Sequence, residues 1–131
     1  MTSLLDIDVT DAPEPKVVPA NEEYKLRIID VTTDRDKNDE PYLFPRFEVV
    51  DEPLAKDFTK FLRLPHGDLS EKQLARVRSD LRKFLECFEL PNPFKGDPTD
   101  MKGKTGWAIL GVGEDEQYGE QNYIKKFIAP K

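Results

Sequence analysis

The segment that begins at Tyr42 alternates between two kinds of side chain. In a β-strand, successive side chains point to opposite faces, so Tyr42, Phe44 and Arg46 share one face, and Leu43 and Phe47 share the other. Aromatic rings stack on bases and cations follow phosphates, and these are the two devices that hold a single nucleic-acid strand. The first set of residues therefore fits such a surface, and the second set fits a core.

Two other segments carry a related pattern. Lys25 and Arg27 alternate with apolar residues, and so do Phe61 and Arg63. We expect all these strands to be neighbours in one sheet, with an outer face that bears Lys25, Arg27, Tyr42, Phe44, Arg46, Phe61 and Arg63. Each charge alone is more often a solvated side chain. The alternative interpretation places Phe44 under a loop and Tyr42 at the rim.

Two residues near the end of the chain complete the candidate nucleic-acid-binding set. Trp107 shares one side of a predicted strand with Ile109, and a lone Trp in a small barrel is more often a core residue than a stacking platform. Lys125 and Lys126 are expected to face opposite ways. One of them then reaches solvent near the binding face, and we assign Lys126 to it.

Catalysis has little support in the sequence. His66 stands in a Pro-His-Gly-Asp turn with no nucleophile placed by a motif, and Cys87 falls at a predicted helix end. One Cys and one His allow neither an internal disulfide nor a Cys/His zinc site. We therefore expect no enzyme, no metal and no cofactor.

The elements that must position the candidates follow from periodicity. Alternation predicts strands over 24–31, 42–50, 57–64, 104–112 and 122–128. Pro45 cannot donate to a ladder, which favours an edge position or a bulge there. Between the third and fourth strands, Ser70 with Gln73 has capping-box spacing. An apolar stripe of helical period follows, and the helix should stop before Pro91; the stripe is Leu74, Val77, Leu81, Leu85 and Phe88, with Phe84 beside it.

The element order is βββ-α-ββ, so the fold class is mainly β with one helix. A five-stranded OB-fold barrel has this order, with the helix closing one end. Gly106 and Gly111 suit the sharp bends of a small closed barrel. The alternative is an open α+β sheet with one face covered by the helix.

Charge divides the chain of 131 residues into two parts. The net charge is −6, and the first 23 residues carry six of the acids against Lys16 alone. Residues 1–21, which contain three prolines, are predicted to be an extended acidic N-terminal arm, and residues 22–131 the OB-fold domain. The near-neutral domain can still present a basic face. The arm is either a solvated tail or a docking segment for a partner.

Several short motifs together resemble the single-stranded-DNA-binding-like OB proteins of tailed bacteriophages. They are Tyr24-Lys-Leu-Arg-Ile, the aromatic and basic second strand, the helix in mid-chain, Gly103-Lys104 and Asn122-Tyr-Ile-Lys-Lys-Phe. The resemblance covers residues 22–131 and implies an OB fold and a role in phage DNA replication, recombination or repair. Many such proteins end in an acidic tail that recruits partners, whereas this chain ends Lys125-Lys-Phe-Ile-Ala-Pro-Lys131.

The function expected from these features is sequence-tolerant binding of single-stranded DNA, with RNA not distinguished from DNA. Replication or recombination proteins are the expected protein partners, and homo-oligomerisation stays open. The sequence has no apolar run of about 20 residues and no signal peptide at its start. We therefore expect a cytoplasmic protein without a membrane partner, in the host cytoplasm if phage-encoded. The alternative is a protein-interaction or virion-structural OB module that uses the N-terminal arm.

Overall fold

The computed structural model describes residues 5–130. Over that range the protein is mainly β with one α-helix, as predicted. Its elements are β1 (Glu23–Arg35), β2 (Pro41–Val49), β3 (Phe58–Thr59), β4 (Leu62–Arg63), α1 (Glu71–Cys87), a 3-10 turn (Pro98–Met101), β5 (Thr105–Asp115) and β6 (Gly119–Ile128). None of the helices in this part of the chain has the length and apolar character needed to cross a membrane.

The strands form one antiparallel sheet. Their order is β3-β2-β1-β5-β6, and β4 also pairs with β2. The sheet is open, since no hydrogen-bonded ladder joins β3 to β6. These two end strands nevertheless contact each other. The sheet therefore curves far enough to bring its two ends together.

The third predicted strand is divided into β3 and β4 at a point opposite Pro45. In the register that β3 and β4 share, Pro45 faces Lys60. Lys60 donates its backbone N–H to the Pro45 carbonyl oxygen at 3.1 Å, but proline has no N–H with which to return a bond. The prediction of an edge position for Pro45 is wrong, because β2 pairs on both sides. The nearby bulge lies in β1, between Ile28 and Asp30.

The helix begins where its sequence signals place it. The Ser70 side chain accepts the Gln73 N–H, and the Gln73 side chain accepts the Ser70 N–H, which confirms the capping box. Phe84, predicted beside the apolar stripe, is fully buried. Its ring lies 5.4 Å from Phe88, which stacks at 5.5 Å on Phe47 of β2. This aromatic cluster fixes the helix on the inner face of the sheet.

Gly106 is required by close packing rather than by a strand bend. A Cβ at Gly106 would lie 2.5 Å from the carbonyl oxygen of Cys87, at the end of α1. A strand can approach a helix end this closely only if it has no side chain at the contact. The helix end therefore rests directly on β5.

The packed part of the chain begins at Lys16, within the segment predicted as the arm. Lys16 forms a parallel bridge with Ala55, just before β3. Two residues later, Val18 is buried, and its N–H and C=O both bond to the side-chain amide of Asn122 in β6, at 2.9 and 3.0 Å. Residues 16–18 thus connect the two ends of the open sheet. Lys16 pairs with the segment just before β3, and Val18 is hydrogen-bonded to Asn122 of β6.

Replacing Asn122 should test this connection. The residue is only 3% exposed and also donates to the Gly111 carbonyl oxygen at 3.0 Å. Asn122→Ala leaves three buried backbone groups without this partner, so we expect a loss of about 2–4 kcal/mol in the free energy of unfolding. Urea denaturation measures it. Gln117→Ala, an exposed amide in the same hairpin, is the matched control. A loss for Asn122→Ala no larger than for the control would show that the amide does not hold the segment.

Candidate nucleic-acid interface

Three of the predicted rings lie together on the outer face of the sheet. Tyr42 packs against Phe61 with ring centroids 4.9 Å apart and against Phe44 at 6.3 Å. Phe44 is 37% exposed and Phe61 is 49% exposed, whereas Leu43 and Phe47 are buried. The alternation predicted for β2 is therefore confirmed. These rings present an apolar surface to solvent from two neighbouring strands.

The surface continues across the gap between β3 and β6. Two adjoining grooves, of about 730 and 410 Å³, share Phe44 on one wall and Tyr118 on the other. The smaller groove is also lined by Tyr123 of β6. Both tyrosines are exposed. We call the five rings of Phe61, Tyr42, Phe44, Tyr118 and Tyr123 the aromatic track.

Sequence reasoning missed Tyr118, which lies between the last two predicted strands, and Tyr123, which lies in the fifth. A signal for Tyr123 is present, since it pairs directly with Gly111 of β5. A Cβ at Gly111 would lie 2.4 Å from the Tyr123 ring. The glycine leaves space into which the neighbouring ring folds, a known way of covering glycines in sheets. Gly111 therefore positions a ring of the track.

The predicted arginines lie on the outer face, but each is paired with a carboxylate. The pairs are Arg27 with Glu48 at 2.6 Å, Arg46 with Asp57 at 3.7 Å and Arg63 with Glu40 at 3.0 Å. All three pairs are partly exposed. We expected this face to be cationic, but the three paired carboxylates bring its net charge close to zero. The alternation pattern predicted the outward arginines but not the acids beside them.

The remaining candidates form a second group. Trp107 pairs with Lys25 in the register of β1 and β5, and it is 49% exposed, so the expectation of a core Trp is wrong. Lys126 pairs with Ile109, two residues further along β5. Alternation with Lys126 predicts that the Lys125 side chain points inward, but it does not. A register shift leaves it unpaired opposite β5, and both lysines are exposed.

The two groups are separated along the sheet. Lys25 precedes Leu26, which pairs with Val49, and Val49 is five residues from Phe44 along β2. At 3.3–3.4 Å per residue, Val49 lies roughly 17 Å from Phe44 along the strand. The structure thus joins Tyr42, Phe44, Arg46, Phe61 and Arg63 into one surface and sets Lys25, Trp107 and Lys126 apart, with Arg27 between them.

The Cys87 thiol lies outside this surface and is poorly suited to act as a nucleophile. Burial raises the pKa of the Cys87 thiol to about 11, so the thiol is protonated at neutral pH. Its Sγ donates to the Trp107 carbonyl oxygen at 3.2 Å. In the part of the chain that the structure describes, no three His, Cys, Asp or Glu side chains are grouped so that they could hold a metal ion.

Comparison with known proteins adds no relative. No protein-family model and no curated protein matches the chain. The site must therefore be interpreted from its own geometry.

The seating of Tyr123 can be tested with two glycines of the same strand. Gly111→Ala should displace the Tyr123 ring, because the new methyl group would overlap it, whereas Gly113→Ala makes only ordinary contacts at 3.6 Å. Overpacking of this kind costs about 1–3 kcal/mol unless the ring moves away. Ring proton shifts of Tyr123 in NMR spectra measure the displacement. Unchanged shifts in Gly111→Ala, or equal shifts in both variants, would contradict the assigned role of Gly111.

Proposed function

We propose that this protein binds single-stranded DNA, with bases stacked along the aromatic track. The observation that carries the proposal is the run of rings from Phe61 through Tyr42 and Phe44 to Tyr118 and Tyr123, all of them exposed except the half-buried Tyr42. Every base has a flat face that can stack on such a ring, and stacking contributes about 1–3 kcal/mol per base. Two or three stacked bases are enough for useful affinity. Because stacking does not read base edges, the binding is tolerant of sequence.

The charges around the track support a secondary role for phosphate contacts. Exposed ion pairs contribute only about 0–1 kcal/mol each. A phosphate can therefore replace the carboxylate partner of Arg46 or Arg63 at little cost. The displaced acids, Asp57 and Glu40, stay nearby and limit the gain. In this proposal the rings supply most of the affinity and the arginines orient the backbone.

The arrangement of the strands supports an OB-type barrel as the underlying fold. The order β3-β2-β1-β5-β6 and the contact between β3 and β6 are compatible with a five-stranded barrel that is partly open, and this supports the proposed fold. OB folds bind oligonucleotides on strands two and three and on the loops that flank them. The aromatic track lies on the corresponding strands and on the β5–β6 hairpin. The inferred setting is phage DNA replication, recombination or repair in a host cytoplasm, in keeping with the resemblance drawn from the sequence.

Binding should be measured with a fluorescently labelled deoxythymidine oligonucleotide by anisotropy. We expect micromolar or tighter binding at low salt for the full chain. Phe44→Ala and Phe61→Ala should each weaken it by about 5- to 150-fold, the effect of losing one stacked base. Leu54→Ala, which also removes an exposed apolar side chain (52% exposed) but does not line the track, is the matched control.

The same titration at several salt concentrations separates stacking from charge. Five phosphate contacts would give a slope of log K against log salt of about −3.5, and two would give about −1.4. We expect the shallower value, because the arginines are already paired. Oligoribonucleotide and duplex DNA complete the series. Failure of the full chain to bind any single strand at micromolar concentration and low salt would overturn the proposal.

A further inference from the structure

A further groove, separate from the two that adjoin the aromatic track, lies beside α1. It has a volume of about 890 Å³, and its walls are α1, the strands β1 and β2 and the segment 92–101. Leu43, Phe84 and Met101 are buried in its floor. Leu81 and Leu85 of the helix are half-buried against them. The apolar surface that the groove offers comes from the half-buried Leu81, Leu85 and Phe94, which the rest of residues 5–130 leaves partly uncovered.

The charge of this groove is positive on balance. Arg78 and Arg82 line it, together with one acid, Glu86. Glu86 is occupied by Arg82, whose Nε lies 2.8 Å from its carboxylate. Among the described residues, Arg78 forms no ion pair. An occupant that brings a carboxylate together with apolar side chains would match this groove.

The N-terminal arm has this chemistry. Its segment Leu5-Asp6-Ile7-Asp8-Val9 alternates apolar and acidic residues and contains neither helix nor turn. In an extended chain such alternation places the apolar side chains along one edge and the carboxylates along the other. Ile7 is 73% exposed and Val9 is 68% exposed. Clustered exposed apolar side chains mark interaction sites in soluble domains.

We propose that the groove beside α1 receives residues 5–9 of a second copy of this chain. Within one chain the side chains of Ile7 and Val9 are exposed and the groove is open, so each could cover apolar surface of the other. Ile7 and Val9 would cover the apolar floor, and an arm carboxylate would pair with Arg78. Reciprocal exchange of arms between two copies gives a closed two-fold dimer. This interaction does not depend on the aromatic track and goes beyond the proposed function.

Analytical ultracentrifugation of the full chain tests the exchange. The full chain should sediment as a dimer at tens of micromolar. Ile7→Asp should weaken dimerisation at least tenfold by placing a charge in the apolar groove, and Arg78→Glu should do so by repelling the arm. Lys72→Glu, which makes the same charge change on the exposed side of the same helix, should leave the dimer intact.

A mixing experiment identifies the two contacts as partners. A chain without residues 1–10 keeps its groove but lacks the segment that inserts into a partner. The Arg78→Glu variant keeps this segment, but its groove repels the acidic arm of a partner. Each should be monomeric alone, and an equimolar mixture should contain heterodimers with one exchanged arm. The proposal is overturned by a full chain that stays monomeric up to millimolar concentration. It is equally overturned by a dimer that persists in both variants, since that dimer would use another surface.

Discussion

The side-chain amide of Asn122 connects the segment at Val18, 104 residues away, to the hairpin of β5 and β6. It pairs with both backbone groups of Val18 in the manner of a strand and donates to Gly111 in β5. Leaving this buried amide unpaired would destabilise the fold by more than its hydrogen bonds stabilise it. The amide therefore strongly favours the arrangement in which all its hydrogen bonds are formed. Through this residue the segment at Val18 is held beside the gap between β3 and β6. The aromatic track crosses the same gap, between Phe44 and Tyr118.

Two missing groups determine the shape of the proposed binding surface. Pro45 lacks an N–H, which interrupts the ladder that β2 forms with β3 and β4, while Phe61 still lies against Tyr42. Gly111 lacks a side chain, which admits the ring of Tyr123. Both residues act on neighbouring strands rather than on their own conformation. The surface of rings therefore depends on a buried proline and on a glycine without a side chain, neither of which belongs to the rings themselves.

Sequence patterns predicted the local features of this chain better than the long-range ones. Periodicity and the Ser70–Gln73 spacing placed the helix, and alternation placed the outward rings of β2, because both depend only on near neighbours in sequence. The partner of Asn122 lies 104 residues away, and no spacing rule indicates it. The carboxylates beside the arginines were equally hidden, since ion pairing across strands depends on register. Trp107 was misjudged because composition alone does not show which face of a strand the helix covers.

Backbone amide mapping by NMR tests the proposed nucleic-acid surface most directly. A short deoxythymidine oligonucleotide added to the ¹⁵N-labelled full chain should shift amide signals in β2, β3, β4 and the β5–β6 hairpin, with the largest changes next to Phe44, Phe61 and Tyr118. Signals of α1 should stay in place. Shifts confined to the end of the sheet that holds Lys25 and Trp107, or to the groove beside α1, would contradict binding on the aromatic track.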